Sequence, residues 1–368
     1  MDSDEARAPR NHWKTCSSIV LGCLMAVSLQ VIFFSPISPQ VLEFPPESSV
    51  LPVQSNSKLQ EVIKLGEGLL DKPEDVAIGK DGVLYTATRD GWIKRLHKNG
   101  TWENWWHVES EGLLGLTVTQ AGDVIVCDAQ NGLLKVNEEG VKVLVSHFNG
   151  SKLRLADDVI ESSDGMLYFS DASTKFGLHE WHLDVLEARP HGRVLKYDPQ
   201  LNETSIVLDK LAFANGVALS ADQDFLVVCE TWKFRCLKYW LEGDLKGETE
   251  IFIDNLPGAP DNINLSPDGS FWIALLQLAP PGLKFLHGSR VVKRVIYSLK
   301  VRNLWVFGVH KKATVVNVAS NGKELKRSFD DPSAKVMGFV TSVLEFEDHL
   351  YLGSLQTNFI GKLPLNSL

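Results

Sequence analysis

Four acidic or amide residues occupy one position relative to a short turn that recurs along the chain. Each stands seven residues before the first residue of its turn, and the four are Glu74, Asp157, Asn215 and Asp261. The equivalent residue of the second repeat is Leu114, and the last repeat offers Val340 or Thr341. Equivalent positions of a closed repeat protein are related by symmetry, so we expect these four side chains to ring one end of a central axis.

Three carboxylates and an amide at one point would repel each other strongly unless a cation were present. Oxygen-only donors from Asp, Glu and Asn select a hard cation, and a wide, irregular ring favours Ca²⁺ over Mg²⁺. The alternative is that these residues satisfy backbone groups in turns. The pattern predicts a calcium site built from all four residues.

The turn itself indicates the architecture. A small turn built on Asp and Gly precedes a strand of aliphatic and aromatic residues in six places, which begin at Asp81, Ala121, Asp164, Asp222, Asp268 and Glu347. Successive turns are 40, 43, 58, 46 and 79 residues apart. Periods near 40 to 50 residues with several strands each are typical of propeller blades. We therefore predict an all-β, six-bladed β-propeller, with a pair of β-sandwiches as the alternative.

The two long intervals contain insertions. The first lies between Ser173 and Arg193 and has a helix-like middle, and the second lies between Ala279 and Lys311 and is rich in Leu and Val with scattered Arg and Lys. Insertions of this kind usually decorate one rim of a propeller, so we expect them to form a lid over the central channel.

The N-terminal segment is typical of membrane targeting. Residues 19–34 contain only Ser28 and Gln30 as polar residues, and Arg7, Arg10 and Lys14 precede them. This charge asymmetry predicts a signal anchor with a cytosolic N-terminus, and a cleaved signal peptide is the alternative. Both place the bulk of the chain in an endomembrane lumen, of the endoplasmic reticulum or the vacuole. The expected division is a tail and anchor at 1–37, a Pro- and Ser-rich linker at 38–60, and the propeller at 61–368.

Two further features suit a lumenal protein. Glycosylation sequons at expected exposed positions are Asn99, Asn149 and Asn202, whereas Asn264 lies in a strand-like run. Cys229 and Cys236 flank a predicted hairpin tip, where facing strands would bring them within disulfide reach; two buried thiols are the alternative. The formal net charge of −9 argues against a nucleic-acid partner, which requires a basic surface. We expect a small-molecule substrate instead.

Residues 65–363 resemble the strictosidine synthase-like family, in its plant branch related to the animal adipocyte plasma membrane-associated proteins. The motifs that carry the resemblance start at Tyr168 (YFSDAST), Gly192 (GRVLKYDP), Phe213 (FANGVALS), Leu256 (LPGAPDNI) and His349 (HLYLGS). Members of this family are six-bladed propellers, which agrees with the number of repeats.

The resemblance implies two chemistries, and this sequence departs from both. Strictosidine synthase condenses an amine with an aldehyde through a last-blade glutamate, a position that Thr341 takes here, and a threonine hydroxyl cannot carry a proton as a carboxylate does. Related calcium-dependent lactonases and arylesterases have ligands that correspond to Glu74, Asn215 and Asp261, with Asp157 replacing a more usual asparagine. Leu114 replaces their histidine base, so the resemblance implies that Asp157 or Asp261 would activate a metal-bound water instead.

A hydrolase of small esters or lactones is therefore the favoured expectation. A non-catalytic propeller that binds a partner or metabolite is the first alternative, and residual amine–aldehyde condensing activity is the second.

Overall fold

The computed structural model describes residues 12–35, 37–46, 48–278, 283–298 and 309–365. Helix α1 (His12–Phe33) comes first, and strand β1 (Ile63–Leu65) follows a short 3₁₀ turn at Lys58–Glu61. From there on the described chain is built mainly from four-stranded antiparallel sheets, six in all. The predicted six-bladed propeller is confirmed.

Each of the first three blades is a continuous run of four strands. Blade 1 comprises β2 (Val76–Ile78), β3 (Leu84–Ala87), β4 (Trp92–Leu96) and β5 (Trp102–His107). Blade 2 comprises β6 (Leu113–Val118), β7 (Val124–Asp128), β8 (Gly132–Asn137) and β9 (Gly140–Val145). A two-stranded hairpin of β10 (His147–Phe148) and β11 (Ser151–Lys152) leads to blade 3, which comprises β12 (Ala156–Glu161), β13 (Leu167–Asp171), β14 (Gly192–Asp198) and β15 (Glu203–Leu211).

The last three blades complete the ring. Blade 4 comprises β16 (Ala214–Leu219), β17 (Phe225–Glu230), β18 (Arg235–Trp240) and β19 (Thr249–Ile253). Blade 5 comprises β20 (Ala259–Leu265), β21 (Phe271–Leu278), β22 (Val309–Val318) and β23 (Leu325–Asp331). Blade 6 contains β24 (Val340–Phe346), β25 (His349–Ser354) and β26 (Ile360–Pro364), and it takes β1 as its outer strand.

The pairing of β1 with β26 closes the propeller. The two strands run antiparallel, with Ile63 opposite Lys362 and Leu65 opposite Ile360. The first strand of the domain therefore completes the last blade, which joins the two ends of the ring by backbone hydrogen bonds. Neighbouring blades also bury apolar side chains against each other, as where Trp272 of blade 5 lies in one core cluster with Val343 of blade 6. Burial of such faces is the main stabilising term for stacked repeats.

The six repeated turns connect the inner strand of each blade to the second strand. In four of them a glycine has positive φ: Gly82, Gly122, Gly165 and Gly269. Gln223 and Asp348 adopt the same left-handed conformation in the other two blades. A conformation that glycine adopts without strain explains why an Asp-Gly pair marks these turns in the sequence.

Both insertions lie at the opposite end of the blades from these turns. Ala156, at the start of β12, pairs with Asp171, at the end of β13, so the insertion after β13 lies at the end where the inner strand begins. It contains α2 (Trp181–Glu187), as the helix-like pattern predicted. The second insertion contains α3 (Leu283–His287) and α4 (Arg290–Ser298), and α4 contacts α2. We call these three helices the lid.

The segment predicted as a linker packs on the propeller instead of spacing it from the anchor. We call residues 37–46 the strap. Its Ser38 amide donates to Glu187 Oε1 at 2.8 Å, and its Gln40 carbonyl accepts from Lys293 Nζ at 2.6 Å. Leu42 is buried in the core. Two lid helices thus hold the strap, through contacts between residues about 150 and 250 positions apart that composition does not reveal.

Helix α1 has its apolar side chains exposed throughout residues 16–30. Within the described residues, no helix meets the length and hydropathy expected of a membrane span.

Candidate functional site at the lid end of the channel

The inner strands begin with a local irregularity that reorients side chains. In blades 2 to 5 the pairing register shifts across two residues near the start of the inner strand, as between Ala156 and Val159. A β-bulge of this kind redirects side chains, and bulges are common next to active sites. Asp157, Asn215 and Asp261 lie in these bulges, whereas Glu74 lies two residues before β2. The constant offset from the turn explains why counting along the sequence located them.

The structure brings Glu74, Asp157, Asn215 and Asp261 together, and we call these four residues the acidic ring. All are buried, with at most 6% of each residue exposed. Burial raises the pKa of Glu74 well above its ordinary value, and the charges of Asp75, Asp261 and Asp157 raise it further. Burial and the charge of Asp157 likewise raise the pKa of Asp261, against a hydrogen bond from Asn215. The carboxylates of three blades are thus close enough to raise one another's pKa values.

A cation that the repeat pattern did not reveal lies in the same field. Arg89 follows β3, and its guanidinium lowers the pKa values of Glu74, Asp157 and Asp261. Burial nevertheless holds the pKa of Asp157 at about 7. The loop is fixed because the Arg89 amide donates to the Asp71 carbonyl at 2.8 Å and its Nη1 donates to the Glu111 carbonyl at 2.9 Å. One positive charge therefore faces three buried carboxyl groups.

The residues that directly follow Glu74, Asp157 and Asp261 form a second ring, which links neighbouring blades by hydrogen bonds. Its members Asp75, Asp158 and Asn262 come from blades 1, 3 and 5. Asp75 Oδ2 accepts from the Leu116 amide of blade 2 at 2.9 Å, and Asp158 Oδ2 accepts from the Val217 amide of blade 4 at 2.8 Å. Asn262 Nδ2 donates to both carboxylate oxygens of Glu74, at 3.2 and 3.4 Å.

Glycines fill the equivalent positions of blades 2 and 4. A Cβ on Gly115 would lie 2.6 Å from Asp158 Oδ1, and a Cβ on Gly216 would lie 2.5 Å from the Ile263 amide nitrogen. Polar side chains thus alternate with glycines from blade 1 to blade 5, and each glycine makes room for the next blade. The sequence analysis missed this second ring. The signal that could have revealed it is a pair of adjacent residues in each blade: Glu-Asp, Leu-Gly, Asp-Asp, Asn-Gly and Asp-Asn in blades 1 to 5.

The acidic ring has the donor chemistry of a hard-cation site. Asn215 Oδ1 is buried and has no hydrogen-bond partner, an arrangement that costs free energy unless another group occupies the lone pairs. Carboxylate and amide oxygens are the donors that calcium takes. Because all four residues offer oxygen donors, their chemistry fits calcium. Among the described residues, however, no three His, Cys, Asp or Glu side chains converge as a ready-made metal cluster. Calcium binding remains a prediction.

Thr341 and Leu114, the positions where the resemblance implied a proton-transfer group in other enzymes, lie in bulges of blades 6 and 2. Thr341 is fully buried, and its Oγ1 donates to the Glu74 carbonyl at 2.5 Å, so it fixes the backbone of an acidic-ring residue. Leu114 is buried in the apolar core beside Leu155 and other residues. Neither residue offers a group that transfers a proton.

The remaining predicted positions lie away from the channel. Cys229 and Cys236 are directly opposite on β17 and β18 and form a disulfide. The sequon residues Asn99, Asn149 and Asn202 are exposed. Asn264 instead uses its Nδ2 to donate to the Val343 carbonyl at 3.2 Å.

The fold and ring define a six-bladed propeller with a buried polar site at one end of its channel. Comparison with known proteins identifies the family. The strictosidine synthase family model matches residues 157–244, and the N-terminal model of strictosidine synthase-like proteins matches residues 52–96. Strictosidine synthase-like protein 4 of Arabidopsis thaliana is 35% identical over 95% of this chain and 94% of its own. The adipocyte plasma membrane-associated protein of Rattus norvegicus is 34% identical, over 94% and 99%. The chain belongs to the strictosidine synthase-like family.

Solved structures with the same fold are more distant in sequence. A gluconolactonase from Xanthomonas campestris superposes with a TM-score of 0.60 at 15% identity, covering 89% of this chain and 98% of its own. A calcium-binding regucalcin from Agrobacterium tumefaciens superposes with a TM-score of 0.54 at 13% identity, covering 85% and 94%. At these identities the likeness shows the fold alone.

Proposed function

We propose that this protein is a lumenal, calcium-assisted hydrolase of small esters or lactones. The observation that carries the proposal is the acidic ring, where three carboxylates and an unpartnered Asn215 Oδ1 are buried at the end of the channel. Such a group of oxygen donors is costly to bury without a cation. The names of the two solved propellers, a gluconolactonase and a calcium-binding regucalcin, support the same reaction class and ion.

Glu74, Asp157, Asn215 and Asp261 would hold the ion. When bound, calcium supplies Lewis acidity that polarises an ester carbonyl and stabilises negative charge on its oxygen. Asp157 and Asp261 are the candidate bases, because they are the carboxylates of the ring that no Asn262 amide engages, and they would accept the proton of an attacking water. Arg89 adds a fixed positive charge to the same field.

The second ring and Thr341 act as positioning groups. Asn262 orients the Glu74 carboxylate, and Thr341 fixes the backbone of the same residue. The lid and strap lie at the same end of the blades, so they would restrict the access of water and bulk solutes to the acidic ring. Substrate selection would then depend on the insertions, where related propellers are free to differ.

The test is turnover of a panel of aryl esters and lactones by the purified full chain, with calcium and with a chelator. We expect chelation, Asn215→Ala and Asp261→Asn each to abolish turnover while the chain stays folded. Asp268→Asn is the matched control, since Asp268 lies on an exposed turn at the far end of the same blade. Undiminished activity in both ring variants would refute the hydrolase.

A non-catalytic propeller is the second candidate, and Leu114 and Thr341 favour it because they replace the proton-transfer groups of related enzymes. In that case calcium would raise the melting temperature through the same ring, and no ester or lactone would turn over. Condensing activity is not proposed, because the Thr341 hydroxyl is committed to a backbone carbonyl.

A further inference from the structure

The strap lies over a histidine whose ring is buried without a hydrogen-bond partner. His287 ends α3 and has no exposed surface, and neither its Nδ1 nor its Nε2 has a partner among the described residues. The Phe44 ring of the strap packs edge-on against the imidazole, with the ring centres 6.0 Å apart. The Leu42 amide of the strap donates to the His287 carbonyl at 3.2 Å. Buried polar groups without partners are rare in folded proteins, and they point to a role other than stability.

The charges around His287 disfavour a protonated imidazole. Burial, together with the positive charge of Lys293, lowers the pKa of His287 to about 3. Burial also lowers the pKa of Lys293 to about 8, so this group is mostly protonated at neutral pH. The other charged residues of α4, Arg290 and Arg294, are basic as well. None of the described carboxylates contributes to the shift of His287, so a charged imidazole would be buried among cations alone.

The carboxylates of the neighbouring elements are engaged elsewhere. Glu43 is the only acidic residue of the strap, and its side chain is largely exposed, with Oε2 3.8 Å from Lys233 Nζ. On α2, Asp184 accepts hydrogen bonds from Ser173 Oγ at 2.6 Å and from Trp232 Nε1 at 2.9 Å. Neither carboxylate is therefore placed to compensate a charge on the imidazole.

Two contacts that acid does not weaken hold the chain on either side of the region over His287. Burial raises the pKa of Glu187, but hydrogen bonds from two basic side chains outweigh that effect and lower it to about 2. Glu187 therefore stays ionised in mildly acidic solution and keeps its bond to the Ser38 amide. Beyond the strap, the Leu51 amide donates to the Asn255 carbonyl at 3.0 Å, a backbone contact that does not titrate. Residues 41–46, which we call the flap, lie between these fixed points.

Acid should thus act on the flap and spare its ends. When the flap is released, the imidazole is free to bind a proton with its ordinary pKa of about 6.5. A group whose pKa is lowered in the bound state stabilises that state at high pH, and this stability is lost as the pH falls below the ordinary pKa. We propose that protonation of His287 releases the flap from the lid in acidic solution. Leu42 then leaves the apolar layer that it shares with Leu114 and Ala259 beside the acidic ring.

Electron paramagnetic resonance of a spin label on the flap tests this proposal in the full chain, without any measure of turnover. The exposed Cys16 and Cys23 are replaced by Ser, Cys127 is buried, and the disulfide is left intact. The label is attached at Val41→Cys, an exposed position of the flap. A second sample carries it at Asp222→Cys, on an exposed turn at the opposite end of the blades. Spectra are recorded in detergent solution between pH 7.5 and 5.

We expect the ratio of mobile to immobile label at position 41 to rise roughly thirtyfold between pH 7.5 and 5, since the imidazole titrates near 6.5 when released and near 3 when bound. The label at position 222 should not change. His287→Phe keeps an aromatic ring against Phe44 but cannot bind a proton, so its ratio should stay within about twofold over the same range. His287→Leu replaces it if the Phe variant does not fold. His147→Phe, at an exposed histidine, is the matched control and should respond like the parent chain.

A flap that stays immobile at pH 5, or one that loosens equally in the parent chain and in a folded variant without His287, would overturn the proposal. Loosening at positions 41 and 222 together would also overturn it, because that result indicates general acid unfolding of the propeller.

Discussion

Replacing Arg89 with methionine tests whether the acidic ring needs positive charge. The guanidinium lowers the pKa values of Glu74, Asp157 and Asp261, and its removal leaves three buried carboxyl groups without this cation. The hydrogen bond from its Nη1 to the Glu111 carbonyl is lost as well, and a hydrogen bond made by a charged group contributes about 1.5–3 kcal/mol. At roughly 2 °C per kcal/mol for a large domain, Arg89→Met should melt about 3–6 °C below the parent chain without calcium.

The difference in melting temperature between Arg89→Met and the parent chain should increase with pH. A carboxyl group with a raised pKa binds its proton more tightly in the folded state, so its contribution to stability is largest at low pH and is lost as the pH rises through the folded pKa. Burial raises the pKa of Asp157 to about 7, and removal of Arg89 raises it further. The melting-temperature gap should therefore be small near pH 5 and widen above pH 7.

Calcium should close much of this gap. An ion at one hundred times its dissociation constant stabilises the folded chain by about 2.7 kcal/mol, and a ring without Arg89 offers it more uncompensated charge. Arg89→Lys keeps the charge and should lose less stability than Arg89→Met. Arg95→Met is a second control, because it breaks ion pairs with Glu103 and Glu138 on the surface and should cost about 1 kcal/mol or less at any calcium concentration.

Differential scanning fluorimetry from pH 5 to 8.5, with calcium or with chelator, measures all three variants. The reasoning is refuted if Arg89→Met is no less stable than Arg95→Met, or if its deficit is the same at every pH and calcium concentration.

Three other predictions concern the frame around the site. Gly216→Ala should destabilise the chain by about 1–3 kcal/mol in chemical denaturation, because its Cβ would overlap the next blade, whereas Gly177→Ala should cost less since its nearest neighbour is 3.7 Å away. Reduction of Cys229–Cys236, whose positions are seven apart, should lower the unfolding free energy by about 2–3 kcal/mol, and an unchanged midpoint would contradict this. Chain made in secretory cells should lose mass on glycosidase treatment, Asn264→Gln should not alter that loss, and single Gln variants should each reduce it at Asn99, Asn149 and Asn202.

The sequence was sufficient to predict the blades and to locate the four buried residues of the acidic ring, whose role as a calcium site stays a prediction. A left-handed position in each turn favours Asp-Gly pairs, which made the repeat visible. In blades 2 to 5 the bulge lies at a constant distance before the turn. Asp157 and Asp261 could therefore be located by counting. The helix-like pattern of the first insertion likewise predicted α2.

Features without a repeat equivalent could not be predicted in this way. Arg89 lies in a loop of one blade, and its place beside the ring follows from the closed fold. The strap belongs to a longer stretch, residues 38–60, that was predicted as a linker because it is rich in Pro and Ser. Its contacts with Glu187 and Lys293 depend on where the two insertions pack. In the sequence, the second ring is visible only as pairs of adjacent polar residues, such as Asp157-Asp158. The role of the second residue of each pair can be recognised only once the register between neighbouring blades is known.

Calorimetric titration of the purified full chain with calcium tests the central claim most directly. We predict one ion per chain, with binding abolished in Asp261→Asn and retained in Asp268→Asn, both of which remain folded. A folded chain that takes up no calcium, or that binds it equally well as Asp261→Asn, would contradict the claim that the acidic ring is a cation site.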